Sequence, residues 1–465
     1  MVNIISHGVT TSKKRARNCV FLYLDQLRRD GVGILLIERL LKSQGVEVHV
    51  VSSSDFIPKY LIYRPKLVMM GNVDIYHGLY ARFVSKRSII CSLPTEQRLT
   101  SLKANINRFL IGHAEVGSWP EPYWYGVSHI YINGGLIYNE LKKIDVFRDK
   151  IIKTGYPSIY NSKAEGGASE SRRKFTVGIS LEPTFNYRNM AKFIYESGYI
   201  ELSVYGGLLG YINFHIKYLK SILDIIHGIA SRNPDLLFIV RPRFPDNVDD
   251  FHFLEHEYSN LSVDDSLFAA KFFSKIDCLL VGMSNLGIEA QICGVPVVSI
   301  MGIMGDDIVK DRVDNYWLPG SYDELLVLLG QLERKELNIS PNTTSFNDFV
   351  SNYYGDNVLN ANDDVPVKVI ANHLIHVLTH EKLPVDSLDW NVNYSEYAEI
   401  IPSVKSRKFI VFILKHFPFT TSFFMRCLLF LLKVLSKSKN SEYGRQYYAY
   451  KKHAELEMRN LLNDK

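Results

Sequence analysis

The stretch Leu279–Ile300, LLVGMSNLGIEAQICGVPVVSI, combines the residue types needed to hold a phosphate. An apolar run ends in Gly282-Met283-Ser284-Asn285, a helical pattern follows, and Gly294-Val295-Pro296 leads into a second apolar run. A small-residue turn at a helix N-terminus presents free backbone N–H groups and the positive end of the helix dipole, which together favour an anion. Ser284 and Asn285 are types that cap a helix and also touch a phosphate. Glu289 stands one to two turns into the helix, placed to bind a ribose diol. The plainer alternative is an ordinary strand–helix–strand unit, in which Ser284 only caps and Glu289 is a solvated side chain.

A second group of residues bears on that choice. Arg241-Pro242-Arg243-Phe244-Pro245 follows the apolar run Leu236–Val240. In a parallel sheet this places two guanidinium groups, Arg241 and Arg243, at the carboxyl end of a strand, the side where such sheets bind ligands. The planar fork of Arg suits phosphate and carboxylate, and the prolines stiffen the loop that carries it. The alternative is a surface loop with ordinary salt bridges. Both groups share one predicted edge, which favours a phosphate-bearing donor.

These residues need a scaffold, and the alternation of short apolar runs with helical patterns supplies one. Cys19–Leu24, Val46–Val51, Leu67–Met70, Ser88–Cys91 and His129–Ile132 read as strands, and Gly33–Ser43 as a helix. After a gap the rhythm restarts: strand Phe175–Ser180, helix His215–Ala230, strands Leu236–Val240 and Cys278–Gly282, helix Ser284–Cys293, strand Pro296–Ile300 and helix Tyr322–Leu332. The expected fold class is α/β, with two Rossmann-like domains facing a cleft. Residues 1–160 form the first, 161–174 (NSKAEGGASESRRK) a linker, and 175–345 the second. Residues 346–400 include a helical pattern at Val365–His380 that is expected to brace the two. Residues 401–465 form a tail.

The arrangement Ser284-Asn285-Leu286-Gly287-Ile288-Glu289-Ala290 with Gly294-Val295-Pro296-Val297 resembles the donor-nucleotide motif of GT-B glycosyltransferases and is similar to that of UDP-N-acetylglucosamine 2-epimerases. The resemblance implies that the turn binds phosphate and that Glu289 binds ribose. Leu22–Gly45 with Val46–Val51 resembles the opening of bacterial surface-carbohydrate (polysaccharide and lipopolysaccharide) biosynthesis proteins. These are glycosyltransferases distantly similar to Kdo-transferring enzymes. Pro94-Thr95-Glu96, Thr154-Gly155-Tyr156-Pro157 and Arg241-Pro242 fit the same landmarks, although Arg243 stands where that family often has His. The chain contains no D-x-D triplet, the motif on which GT-A enzymes hold a divalent metal. A metal-independent GT-B enzyme without a cofactor is therefore expected. The acid pairs Asp249-Asp250, Asp264-Asp265, Asp306-Asp307 and Asp363-Asp364 read as loop or capping residues.

Glycosyl transfer needs a base for the acceptor hydroxyl or a nucleophile. The GT-B resemblance places it in the first domain, where Asp30, His77, Glu96, His113 and Glu115 are candidates. Glu96 comes first because Thr95-Glu96 follows a predicted strand end and matches a landmark. Asp30, beside Arg29 in the loop expected after the first strand, comes second.

Composition limits the remaining classes. Of 465 residues 46% are hydrophobic and 22% charged, with a net charge of +5, which excludes a largely disordered chain. Five scattered cysteines exclude a disulfide scaffold and point to a reducing compartment, and without a C-x-x-C pair no structural zinc site is expected. The basic residues before Cys19–Leu24 do not make a signal peptide, because charges follow the apolar run at once. The charge is unevenly spread: residues 401–465 hold 13 Lys or Arg against four acids, a net +9, which leaves −4 for residues 1–400. On a helical wheel Arg426, Lys433 and Lys437 fall within about 20° of one another, surrounded by Phe423, Phe424, Leu428 and Leu432. That is the pattern of an amphipathic helix at an anionic membrane surface, and it suits lipid better than nucleic acid. A buried helix of the enzyme itself is the alternative. The expectation is a cytoplasmic enzyme, peripheral on the inner face of the membrane. Its partners would be a nucleotide-sugar donor and a glycan or lipid-linked acceptor, with no nucleic acid. A nucleotide-sugar epimerase, a polyol-phosphate transferase and a non-catalytic assembly protein remain as rival readings.

Overall fold

The computed structural model describes residues 17–24, 27–52, 56–71, 83–94, 126–158, 174–181, 208–243, 248–266, 269–282, 284–304, 315–355 and 366–383. Glu96, His77, His113, Glu115, Asp306-Asp307, Asp363-Asp364, nearly all of the 161–174 linker and the whole 401–465 tail lie outside the described residues.

Two parallel sheets carry the fold, as the alternating pattern predicts. The first holds β1 (Arg17–Tyr23), β2 (Glu47–Val51), β3 (Pro65–Met70), β4 (Ile89–Ser92), β5 (His129–Ile132) and β6 (Ile151–Lys153), in the order β2-β1-β3-β4-β5-β6. The second holds β7 (Thr176–Leu181), β8 (Leu237–Pro242), β9 (Leu261–Val263), β10 (Cys278–Val281) and β11 (Val297–Ser299), in the order β11-β10-β7-β8-β9. Every pairing within the two sheets is parallel.

Parallel strands need cover on both faces, which explains their unbroken apolar runs. In β1, Val20 and Leu22 face a core shared with Ile34, Leu35 and Ile37 of the helix Leu27–Ser43. Phe21 and Tyr23 face the opposite core, against Phe56 and Tyr60 of the helix Phe56–Tyr63. In the second sheet Val177, Ile179 and Leu181 pack on Ile222, Ile225, Ile226 and Ile229 of the helix Leu208–Arg232. On the other face Leu279 and Val281 meet Phe272, Phe273 and Ile288.

Two late helices join the units. Phe346 and Val350 of the helix Thr343–Tyr353 pack into the Phe272–Ile288 core, while Tyr353 also lies against the core around Phe147 and Ile137. The Tyr156 N–H donates to the Tyr354 carbonyl at 2.9 Å. Gly134 lies so close to the backbone of Asn352 and Tyr353 that a Cβ would run into the Asn352 carbonyl. The helix Pro366–His380 returns to the first unit, with Val367, Ile370, Leu374 and Leu378 at helical spacing in the β1–β3 core. Lys66 Nζ donates to the Leu378 carbonyl at 2.7 Å, and Tyr131 pairs with His373 at 3.0 Å.

Several element boundaries differ from those the residue pattern predicts. The helix predicted from Gly33 begins at Leu27, so Asp30 lies in its first turn and not in a loop. Gly31 and Gly33 weaken the local helical signal, but Gly33 packs against Pro157 and Ser158, and tertiary contact overrides propensity. The three-residue strands β6 and β9 and the helix Phe56–Tyr63, with Pro58 in its first turn, carry too little periodic signal to be read in advance.

Replacing Gly134 with Ala tests the junction between the units. The overpacking against Asn352 is expected to cost at least about 1–3 kcal/mol in chemical denaturation. An unchanged midpoint would show that the two segments do not meet as described.

Candidate functional site

The strand order places the site. The chain runs from β7 to β8 and β9 on one side, then crosses to β10 and β11 on the other. The crevice outside the carboxyl ends of β7 and β10 is therefore the topological switch point of the second sheet, where open α/β sheets bind ligands. The first sheet has its own switch point between β1 and β3, since β2 lies on the far side of β1. The segment after β6 carries Tyr156 into the core shared with Ile288, so the carboxyl edges of both sheets border one seam.

At the second switch point β10 ends in Val281-Gly282, and the helix Leu286–Ile292 follows. Ser284 Oγ accepts from the Leu286 N–H at 3.1 Å, which makes Ser284 a cap. Asn285 occupies the N-cap position, but its side chain makes no capping bond, contrary to the paired capping expected of Ser284 and Asn285. The αR backbone of Asn285 differs from the extended one usual at that position. Gly294 closes the helix at φ +85°, a conformation that a side chain would strain.

Arg241 stands last but one in β8, two strands from β10, and is only 6% exposed. Its Nη1 donates to Asp264 Oδ2, and to the Ser266 carbonyl at 2.9 Å and Oγ at 3.1 Å. Its guanidinium carbon lies 5.3 Å from the centre of the Phe272 ring. Lys275 Nζ adds a contact to Asp264 Oδ1 at 2.8 Å. Burial alone would raise the Asp264 pKa, but Arg241, Lys275 and the Ser266 hydroxyl outweigh it and hold the carboxyl below its ordinary value. Two cations around one carboxylate leave a net positive patch at the carboxyl edge.

Glu289 adds a second carboxyl group there. Burial raises its carboxyl from 4.5 to about 7, and the Arg241 charge pulls it partway back. That coupling shows that residues from β8 and from the helix after β10 reach one place.

The remaining expected residues fall apart by position. Arg243 is exposed beyond the end of β8, one residue past the buried stretch that Arg241 and Pro242 complete. Asp264 and Ser266 hold the Arg241 guanidinium in place. Asp30 is 2% exposed in the first turn of the helix that follows β1, on the side of the first sheet's switch point. Asp264 lies in the loop directly after β9, as expected of a loop residue, and is in addition the centre of the ion pairs with Arg241 and Lys275. Ser266 and Lys275 were not expected at all. Their signal was the position of Asp264 directly after β9, a strand too short to be read.

No protein-family model and no curated protein matches this sequence. Among solved structures, the UDP-GlcNAc 2-epimerase of Methanocaldococcus jannaschii in complex with UDP-GlcNAc and UDP aligns at TM-score 0.47 and 12% identity, over 77% of this chain and 99% of that one. The UDP-GlcNAc 2-epimerase of Neisseria meningitidis bound to UDP-GlcNAc aligns at 0.44 and 12%, over 77% and 99%. The wall teichoic acid polymerase TagF aligns at 0.45 and 9%, over 79% and 91%.

Two outcomes follow from the electrostatics. Asp264→Ala leaves Arg241 buried without its partner, and the expected cost is about 3–5 kcal/mol in denaturant unfolding; a loss under 1 kcal/mol would remove Asp264 from this role. The second concerns Glu289, whose folded pKa is raised. Its favourable contribution is complete below the unfolded value near 4.5 and is lost as pH rises through about 7. Glu289→Gln should therefore gain stability relative to the wild type across that window. Parallel pH–stability curves would contradict the assignment.

Proposed function

We propose that the protein is a glycosyltransferase that takes a sugar from a nucleotide-activated donor and passes it to a surface glycan or lipid-linked acceptor. The observation that carries this reading is the convergence of Arg241 and Glu289 beside the Ser284-headed helix, at the switch point of a parallel sheet. A diphosphate leaving group gathers negative charge as the glycosidic bond breaks. The net cation of Arg241 and Lys275 over Asp264, with the amides of the Ser284 turn, is placed to stabilise that charge. Glu289 would bind the ribose diol, and Arg243 would reach the outer phosphate from its exposed position.

The acceptor side belongs to the first unit in this proposal. A base there removes the acceptor hydroxyl proton as the oxygen attacks the anomeric carbon and the nucleotide departs. Glu96 and Asp30 are the proposed groups, and Asp30 has the support of its buried place in the first turn of the helix after β1. The +9 segment 401–465 would hold the enzyme against anionic lipid at the inner face of the membrane, where such an acceptor lies. No helix among the described residues is long and apolar enough to cross a membrane.

Calorimetric titration with UDP-, CMP- and GDP-sugars is expected to show binding of one nucleotide class, weakened at least about tenfold by Ser284→Ala and by Glu289→Ala. Unaltered affinity in both variants would reject the site. Turnover should require an acceptor and rise on anionic vesicles. Conversion of the donor to an isomer without acceptor would replace the transferase with an epimerase.

A further inference from the structure

A second group of reactive side chains lies at the opposite end of the first sheet. Cys19 on β1 pairs in register with Glu47 on the edge strand β2, and His49 follows two residues on, beside Phe21. Side chains alternate across a strand, so Cys19, Glu47 and His49 share one face. A thiol sulfur, a carboxylate oxygen and an imidazole nitrogen lie within 4.8 Å of one another. His49 Nε2 is already 2.9 Å from Glu47 Oε1. The imidazole is held by the Tyr63 ring at 4.0 Å and the Phe21 ring at 5.5 Å between centroids. Cys19 is fully buried, Glu47 is exposed, and His49 lies between, so the group opens to solvent on one side.

We propose that Cys19, Glu47 and His49 form a divalent metal site of the zinc class that ties the edge strand β2 to β1. Thiolate and imidazole select zinc over magnesium or calcium, and three protein ligands with one open position for water complete a tetrahedron. With all three ligand atoms within 4.8 Å of one another, small side-chain rotations suffice to bring them to bonds of about 2.0–2.3 Å around one ion. Without an ion, burial and the Glu47 charge hold the thiol proton on, pushing its pKa up to about 12. A dication reverses both effects: Cys19 Sγ loses its proton to solvent, and thiolate plus carboxylate neutralise the ion. The site lies at the amino ends of the strands, away from the carboxyl edges where the nucleotide is proposed to bind. Its role is to secure an edge strand that has a neighbour on one side only.

The test uses the full chain stripped with chelator and titrated with Co²⁺ as a spectroscopic substitute, then with Zn²⁺. The expected result is one equivalent bound, a thiolate-to-cobalt charge-transfer band, one proton released per ion, and a raised Tm with Zn²⁺. Cys19→Ala should abolish the band. Glu47→Gln and His49→Gln should each weaken binding at least about tenfold, with unchanged far-UV circular dichroism. Absence of the band in the wild type overturns the proposal. So does an unaltered band in Cys19→Ala, which would assign the ion to another cysteine. Should Cys19→Ala fail to fold, His49→Gln at the more open edge decides: unchanged affinity there also overturns the site.

Discussion

The Asp264 carboxylate has no exposed surface, and the second unit depends on how that charge is satisfied. A lone carboxylate there would cost several kcal/mol, so the fold must bring cations and donors to it. Arg241 arrives from the end of β8, Lys275 from the turn after the helix Ala269–Phe273, and Ser266 from the loop after β9 that also carries Asp264. Three chain segments are thereby fixed at one edge. The same arrangement sets the charge of the proposed site: Arg241 is rigid and shared, and it is close enough to Glu289 to oppose the effect of burial on that carboxyl.

The coupling extends beyond the second unit. Phe272 lies against the Arg241 guanidinium and also belongs to the core that takes up Tyr156, Phe346 and Tyr354. These residues come from the segment after β6 and from the helix that links the units. The interior beneath the Ser284 turn is therefore also the seam between the two sheets. The helix Pro366–His380 then carries the chain back to the first core, so the two units are tied at both ends of the second.

Much of the framework could be read from residue pattern. Buried parallel strands announce themselves as continuous apolar runs, and β1, β3, β7, β8 and β10 were visible for that reason. The helix after β10 was legible because Gly294 marks its end. Reading failed where the signal is short or contradicted by local propensity. The three residues of β9 gave no warning that Asp264 would stand beside Arg241. Two glycines hid the first two turns of the helix Leu27–Ser43, so Asp30 was assigned to a loop.

Composition and periodicity alone established the fold class, the strand–turn–helix around Ser284 and the residue types suited to a phosphate. They also established the charge division between the body and residues 401–465. These properties are local, since each depends on residues within a few turns of one another. Which charges meet is a long-range property, set by strand order and register. The Arg241–Asp264 pair spans 23 residues, and Cys19 reaches Glu47 only because β2 pairs with β1. No pattern within one element encodes such a distance, because it is fixed by which strands lie side by side.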